Sequence, residues 1–258
     1  MNYGALSFIF DGIPSERFGL FLCNINETGK QTYDGGGAVK VHTDKTPSMD
    51  YNYLMGVEYE DVFEFTMTFG SMEARDKFDI SLINNWLIGH SEYKKLQILQ
   101  HDMTNIYYNC ILNDYKVVSF GNYAYAFECT VICDRPWALG NVKKYKYTVP
   151  NTVILNNGSH SNRKTYPKLT FTTNKPNATL SIVNASNGNW ETKFQGLSSG
   201  ETITIDSQLE LITSSLGLYR LENFNKHWLE LVPRANKLII QGDVNEILIE
   251  YNEIRKVG

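Results

Sequence analysis

The sequence predicts a mainly β protein built from two units, and three observations lead to this prediction. Thr, Tyr, Phe, Ile and Val are common while Ala is scarce, a composition that favours strands over helices. Apolar and polar residues alternate with a period of two over several segments, as in strands with one buried face. Residues 1–137 carry 10 Lys and Arg against 18 Asp and Glu, whereas residues 138–258 carry 14 against 10. Since a domain usually takes roughly 100–200 residues, this 258-residue chain is predicted to have two domains, 1–137 and 138–258.

In the first unit, the clearest strand pattern runs from Val57 to Phe69. Further strands are predicted at Lys95–Leu99, Ile106–Leu112, Tyr115–Phe120 and Tyr123–Cys133, with turns at Asn113-Asp114 and Gly121-Asn122. One segment breaks the strand pattern, because apolar residues recur at helical spacing between Ser71, a suitable N-cap, and Gly89, which can end a helix. We expect one amphipathic helix there, packed on the sheet.

In the second unit, short strand patterns follow each other closely after Pro136, which cannot donate to a sheet ladder. The stretch Lys143–Asn157 is basic and polar and leads into them. The predicted strands are Lys168–Thr172, Ala178–Val183, Glu201–Asp206, Leu209–Thr213, Trp228–Leu231, Lys237–Gln241 and Glu246–Tyr251. Short strands separated by regular turns predict an antiparallel β-sandwich.

The segment Tyr33–Pro47 fits neither pattern, since it combines three glycines with few apolar residues and a closing proline. A connection of this length is usually functional or mobile. We predict a protruding hairpin arm that becomes ordered only against a partner. Its candidate inter-subunit residues are Tyr33, Gly35, Gly36, Gly37, Val39 and Val41.

All four cysteines, Cys23, Cys110, Cys129 and Cys133, lie in the first unit. The spacing of Cys129 and Cys133 does not match the paired knuckles of a zinc site. In a strand both would share one face with Phe127, so we expect reduced cysteines in the core. Asp11 stands where a signal peptide would be apolar, and the absence of export that this predicts favours reduced thiols as well.

Composition and motifs exclude several function classes. The net charge of −4 argues against general nucleic-acid binding, and no apolar run approaches the roughly 18 residues of a membrane helix. No phosphate loop or dinucleotide motif occurs. Carboxylate pairs occur at Glu58/Glu60 and Glu128/Asp134, but a glycosidase needs two carboxyls facing each other across a cleft, and Glu58 and Glu60 are interpreted as the solvated face of a strand. His101 and Asp102 are adjacent to each other and are interpreted as a solvated turn. We therefore expect no enzyme activity, no catalytic residues, no metal and no cofactor.

Trp190 and Trp228 are the remaining candidates for binding, because exposed aromatic rings on a sandwich can stack against sugars. Trp190 lies in the polar stretch Asn187–Glu191 and is expected to be the more exposed of the two. It is a candidate weak glycan contact. Packing in the core or in a turn is the competing interpretation for both.

The order of these features is similar to that of a known family. The opening SFIFDGIPSERFGLFLC, with its aromatic strand, glycine turn and Phe-Gly-Leu segment, resembles the start of the distal tail (Dit) proteins of long-tailed, non-contractile phages. CDRPWA resembles the element that closes the family's first domain. NNGSHSNRKTYPKLTF, ETITIDSQLELI and WLELVPRANKLIIQG resemble strands of its second domain, although Arg234-Ala235 replaces the usual glycine after Pro233.

The resemblance implies a tail-tube-like N-terminal β-barrel or sandwich with one α-helix, followed by a C-terminal galectin-like β-sandwich. It implies a hexameric ring in the virion, at the distal end of the tail, formed by the N-terminal domains. The implied partners are further copies of the chain, the tail-tube protein, the tail-tip hub protein and, in some phages, receptor-binding proteins. DNA would pass through the channel without specific binding, and an acidic first half suits such a channel because acidic walls repel phosphate.

The leading hypothesis is therefore a structural protein of a phage or prophage tail tip, made in the bacterial cytoplasm. The alternative is a carbohydrate-binding or adhesion module, in which the second unit holds host-surface glycans. Some relatives carry sugar-binding insertions, but the second unit is too short for a large one. A glycan-cleaving enzyme is the third hypothesis and would need a carboxylate pair in a cleft.

Overall fold

The computed structural model describes residues 7–23, 39–45, 47–48, 50–59, 62–100, 105–121 and 123–256. The chain divides into two compact units, Met1–Leu139 with Lys256–Gly258 and Gly140–Arg255. Strands dominate the described residues, which contain a single α-helix, so the mainly β prediction is confirmed. That helix is too short to cross a bilayer.

The first unit is a curled sheet closed by the helix. Its described elements are β1 (Ser7–Phe10), β2 (Ile13–Pro14), β3 (Leu20–Leu22), β4 (Val39–Asp44), β5 (Tyr53–Tyr59), β6 (Glu64–Arg75), α1 (Lys77–Leu87), β7 (Lys94–Leu99), β8 (Ile106–Phe120) and β9 (Tyr123–Cys133). Neighbouring strands follow the order β2-β1-β7-β8-β9-β6-β3, while β4 and β5 pair with each other.

Aromatic side chains form the core of the first unit. Phe8 of β1 and Phe69 of β6 come from strands far apart in the sheet order, yet their ring centroids lie 5.6 Å apart, so the sheet curls on itself. Trp86 of α1 stacks on Phe8 at 5.7 Å and donates from Nε1 to the carbonyl oxygen of Phe10 over 3.2 Å. Each of these rings removes a large apolar area from water, which makes the helix part of the core.

The helix is shorter than predicted. Ser71 does not cap it but lies in β6, where its Oγ accepts hydrogen bonds from Arg75 Nε and the Glu73 N–H. Asp76 is the N-cap, and its Oδ1 accepts from the N–H groups of Phe78 and Asp79. Both Ser and Asp are good caps, and the strand pairing of β6 decides between them.

The predicted strand Val57–Phe69 is two strands, β5 and β6. The β6 half alternates between exposed and buried residues as expected, whereas Val57 in the β5 half is exposed, and β5 pairs with β4 while β6 pairs with β9. The predicted turn at Asn113-Asp114 is also wrong. It is a bulge within the continuous β8, and Asp114 takes a left-handed φ of +51°. A bulge adds a residue to one strand without ending the pairing.

The cysteine prediction is confirmed. All four thiols are free, and Cys110, Cys129 and Cys133 are buried. Cys129 and Cys133 share the inward face of β9 with Phe127. Burial raises the pKa of both thiols to about 12, and raises the pKa of Cys110 as well. Because the thiolate is the nucleophile, these three cysteines are chemically quiet in the folded protein.

We therefore expect a thiol reagent such as a disulfide dye to label the native protein at Cys23, the partly exposed cysteine, well before the other three. Urea should make all four react at similar rates. Peptide mapping by mass spectrometry after a short labelling pulse checks this order. Labelling of Cys129 as fast as Cys23 in the native protein would contradict the packing described.

The second unit is an antiparallel sandwich. Its strands are β10 (Ala138–Thr148, which begins in the first unit), β11 (Asn151–Asn157), β12 (Lys168–Thr173), β13 (Ala178–Asn184), β14 (Trp190–Leu197), β15 (Thr202–Asp206), β16 (Leu211–Ser214), β17 (Arg234–Gly242) and β18 (Val244–Arg255). One sheet has the order β16-β15-β12-β18-β10 and the other β11-β17-β13-β14. Side chains of both sheets, such as Phe171 and Phe194, join a single buried cluster.

Three strands of this unit were not predicted, and one predicted strand is absent. Lys143–Asn157 is not a polar lead-in but most of β10 and β11, and Trp190–Leu197 is strand β14. Trp228–Leu231 is not a strand, since only Leu231 makes an isolated bridge, to Thr165. Arg234, the residue after Pro233, has a left-handed φ of +72°.

Among the glycines that the structure describes, Gly242 is the one where an added side chain meets the closest backbone contact. It has φ +148°, and a Cβ there would lie 2.4 Å from the carbonyl oxygen of Thr179 and 2.8 Å from Cα of Leu180. We expect Gly242→Ala to lower the free energy of unfolding by about 3 kcal/mol or more, from overpacking and backbone strain together. Gly217→Ala is the matched control, because Gly217 has φ +68° but open space around it, and should cost about 1–2 kcal/mol. Urea unfolding measures both, and equal losses would contradict the steric argument.

Candidate assembly surfaces

Strands β4 and β5 form a ribbon that stands apart from the other sheets. They pair antiparallel, with Val41 opposite Val57 and Lys40 opposite Glu58, and neither pairs with another described strand. Glu58 contacts His42 across the ribbon at 3.0 Å. A lone two-stranded ribbon is marginally stable in water. It therefore gains most by packing against another surface.

Both faces of this ribbon expose apolar side chains. Leu54 and Met55 are neighbours in β5 and point to opposite faces, yet they are 62% and 69% exposed. Val41, Tyr53 and Val57 are also exposed. A strand that covered the core would bury one of its two faces. Apolar groups grouped in this way mark an interaction surface more often than single exposed residues do.

The ribbon includes part of the predicted arm and extends it. Val39 and Val41 lie in β4, which pairs with β5 within the single chain, while Tyr33, Gly35, Gly36 and Gly37 lie outside the described residues. The apolar half of the ribbon, Tyr53–Tyr59, was not predicted as part of an arm. The sequence feature that could have indicated it is the run YLM at residues 53–55. Three successive apolar residues leave a strand without a polar face.

Helix α1 offers a second apolar surface in the first unit. Ile83, Trp86 and Leu87 are buried, whereas Phe78 is 70% exposed and Leu82 is 43% exposed. Phe78 and Leu82 are four residues apart and lie on the same side of the helix. The expectation that the apolar residues of this helix pack on the sheet is therefore wrong for these two residues.

Two of the candidate carboxylates, Glu128 and Asp134, are held in ion pairs. Glu128 accepts from Lys116 Nζ at 3.1 Å, and Asp134 is bound by Arg135 Nη2 at 2.6 Å. Within the part of the chain that the structure describes, no three His, Cys, Asp or Glu side chains are grouped as metal ligands. Glu60, His101 and Asp102 lie outside that part.

Trp190 and Trp228 adjoin each other in the second unit and are both partly exposed. Trp190 donates from Nε1 to the carbonyl oxygen of Trp228 at 2.8 Å and stacks on His227 at 4.4 Å. Trp190 thus packs partly against neighbouring groups, which was the competing interpretation for this residue. It leaves part of the indole accessible at a pocket.

Sequence comparison identifies both units. Residues 3–135 match the family described as the phage tail protein N-terminal domain, and residues 137–251 match the phage tail C-terminal domain. The chain belongs to this family of phage tail proteins. No curated protein sequence is similar enough to this tail protein to count as a match.

Two solved structures share the fold of the tail protein. The crystal structure of the Dit protein of phage SPP1, described as a paradigm of the hub adsorption apparatus in phages that infect Gram-positive bacteria, has a TM-score of 0.70 at 12% identity, over 97% of this chain and 99% of that one. A chain of the phage P2 baseplate, in its activated conformation with Ca, has a TM-score of 0.54 at 8% identity, over 88% and 90%. The resemblance to the Dit family predicted from sequence is confirmed.

Proposed function

We propose that this tail protein forms a closed hexameric ring at the distal end of the tail and joins the tail tube to the tail-tip hub. The observation that carries the proposal is the β4–β5 ribbon, which exposes apolar groups on both faces and pairs with no other described strand. The fold shared with SPP1 Dit supports the position at the tail tip.

A ring needs a heterologous interface, in which one patch of each copy meets a different patch of the next. The first unit has two such patches. The ribbon carries Leu54 and Met55, and the outer side of α1 carries Phe78 and Leu82. We propose that the ribbon of one copy packs on the first unit of its neighbour, which buries the apolar groups of both.

In this proposal the first units form the ring and the second units project outward as galectin-like sandwiches. The surplus acids of residues 1–137 line the channel, where they would repel passing DNA. Exposed apolar residues of the second unit, such as Leu211 and Tyr219, remain available to a receptor-binding protein. A ring structure in which Lys and Arg, rather than Asp and Glu, line the channel would contradict this placement of the acidic residues.

The stoichiometry of the purified chain tests the proposal. Native mass spectrometry over a range of concentrations should show monomers and hexamers with little between them, because a ring gains its last interface only on closure. A chain that stays monomeric at every concentration, or that forms open chains of growing length, would contradict ring formation.

A further inference from the structure

We propose that the second unit binds one sugar residue of a neutral glycan in a pocket next to Trp190. The pocket has a volume of about 180 Å³, and three aromatic residues, Tyr166, Trp190 and Trp228, line it. This volume is below the roughly 300–1,000 Å³ of pockets for drug-sized ligands, and it suits a single ring. The site lies within the second unit and does not depend on ring formation.

Trp190 is held as a rigid apolar platform. One face of its indole stacks on His227, with an interplanar angle of 24°, and its N–H is already used by the carbonyl oxygen of Trp228. What Trp190 offers a ligand is therefore ring surface and not a hydrogen bond. Ring surface suits the C–H face of a pyranose, and a platform fixed in advance reduces the entropy lost on binding.

Ser207 supplies the observation that points to a polar ligand. This residue lines the same pocket and is 2% exposed, yet its Oγ has no hydrogen-bond partner among the residues that the structure describes. Buried polar groups in folded proteins are nearly always paired. Asp206 Oδ1 fixes the turn that carries Ser207, since it accepts from the N–H groups of Gln208 and Leu209. A ligand hydroxyl would satisfy the unpaired Oγ.

The charges around the pocket favour a neutral ligand over an anion. Glu210 and Lys226 line it with opposite charges, and Glu230, which also lines it, is paired with Lys164 at 2.5 Å, so the pocket has no surplus positive charge for an anion. Glu210 and Lys226 also take left-handed φ values of +52° and +62°. Such a conformation is costly for residues other than glycine and is concentrated at functional sites. A phosphate or a uronate would therefore gain no net attraction there, whereas sugar hydroxyls can pair with groups of either charge.

Ligand-observed NMR on the full chain, titrated with glucose, galactose and N-acetylglucosamine, tests the proposal. At least one sugar should bind with a Kd on the order of 1 mM and raise the melting temperature, because a ligand of the native state stabilises it. Tyr166→Ala and Ser207→Ala should each weaken binding about fivefold or more. Ser207→Ala should not lower the melting temperature without sugar, since its Oγ has no partner to lose in the described part of the chain.

Tyr219→Ala is the matched control, because Tyr219 is an exposed tyrosine of the same unit outside the pocket, and its loss should leave binding unchanged. Three results would overturn the proposal: no binding by any of the three sugars, equal binding by the wild type and Tyr166→Ala, or tighter binding of glucose 1-phosphate than of glucose. Native mass spectrometry reads ring formation separately, so failure of one proposal does not imply failure of the other.

Discussion

Replacing Leu54 and Met55 by aspartate should leave the tail protein folded but unable to assemble. Both side chains are largely exposed in the single chain, so their loss costs the isolated fold little. In the proposed ring at least one of them is buried against a neighbour, where an unpaired carboxylate is strongly unfavourable. We expect each interface substitution to weaken association by about 30-fold or more. Sedimentation velocity of the double variant, Leu54→Asp with Met55→Asp, should show a monomer.

The matched control for this experiment is Ile154→Asp. Ile154 lies in a strand and is 70% exposed, close to the 69% of Met55, but it belongs to the second unit. It should assemble like the wild type. The single variants Leu54→Asp and Met55→Asp then reveal which face of the ribbon is covered. If the double variant sediments as the wild-type ring does, the ribbon is not the assembly element.

Glu201→Ala should cause a large loss of stability in the second unit. Glu201 is fully buried, and its carboxylate accepts from Arg220 Nε at 2.8 Å, Arg220 Nη2 at 2.6 Å and Ser214 Oγ at 2.6 Å. Removing it leaves the buried Arg220 without its counter-charge. Breaking such a pair costs about 3–5 kcal/mol. Urea unfolding of the full chain should register this loss.

A surface ion pair of the same unit provides the control. Glu246 pairs with Lys146, and both side chains are about half exposed or more. Glu246→Ala should therefore cost only about 0–1 kcal/mol. Equal losses for Glu246→Ala and Glu201→Ala would contradict the role given to burial.

The same carboxylate should make the second unit sensitive to acid. Burial opposes the ionisation of Glu201, but the hydrogen bonds from Arg220 and Ser214 outweigh it and lower its pKa from 4.5 to about 2. Because the folded pKa lies below the unfolded one, this stabilisation is complete above about pH 4.5 and is lost as the pH falls towards 2. Glu201→Gln should lack this part of the acid dependence. Melting temperatures between pH 6 and pH 2 measure it, and parallel curves for wild type and variant would count against it.

Local alternation of apolar and polar residues was enough to predict the strands that keep the same neighbouring strands along their length. Tyr123–Cys133 alternates without interruption, and it is strand β9 with the predicted bounds. Val57–Phe69 alternates equally well but changes partner between β4 and β9, which no local pattern reports. In β10, Tyr145 and Tyr147 alternate with lysines, but the charge of the stretch suggested a solvated segment.

The candidate sites were predictable only where their residues are close in sequence. The glycines at 35–37 and the valines after them pointed to an arm, because their composition fits no core strand. Its second strand, Tyr53–Tyr59, is as apolar as a core strand, and only its exposure in the fold separates the two. The pocket at Trp190 combines Tyr166, Ser207 and Lys226, which are distant in sequence, so no motif could reveal it.

Negative-stain electron microscopy of the purified chain tests the central claim most directly. The account predicts ring-shaped particles whose averages have six-fold symmetry and a central hole, with the second units outside the ring. The double variant Leu54→Asp with Met55→Asp should give no rings at the same concentration. Single particles of one chain's size, or closed rings that persist in the double variant, would contradict the claim that the exposed ribbon assembles this tail protein.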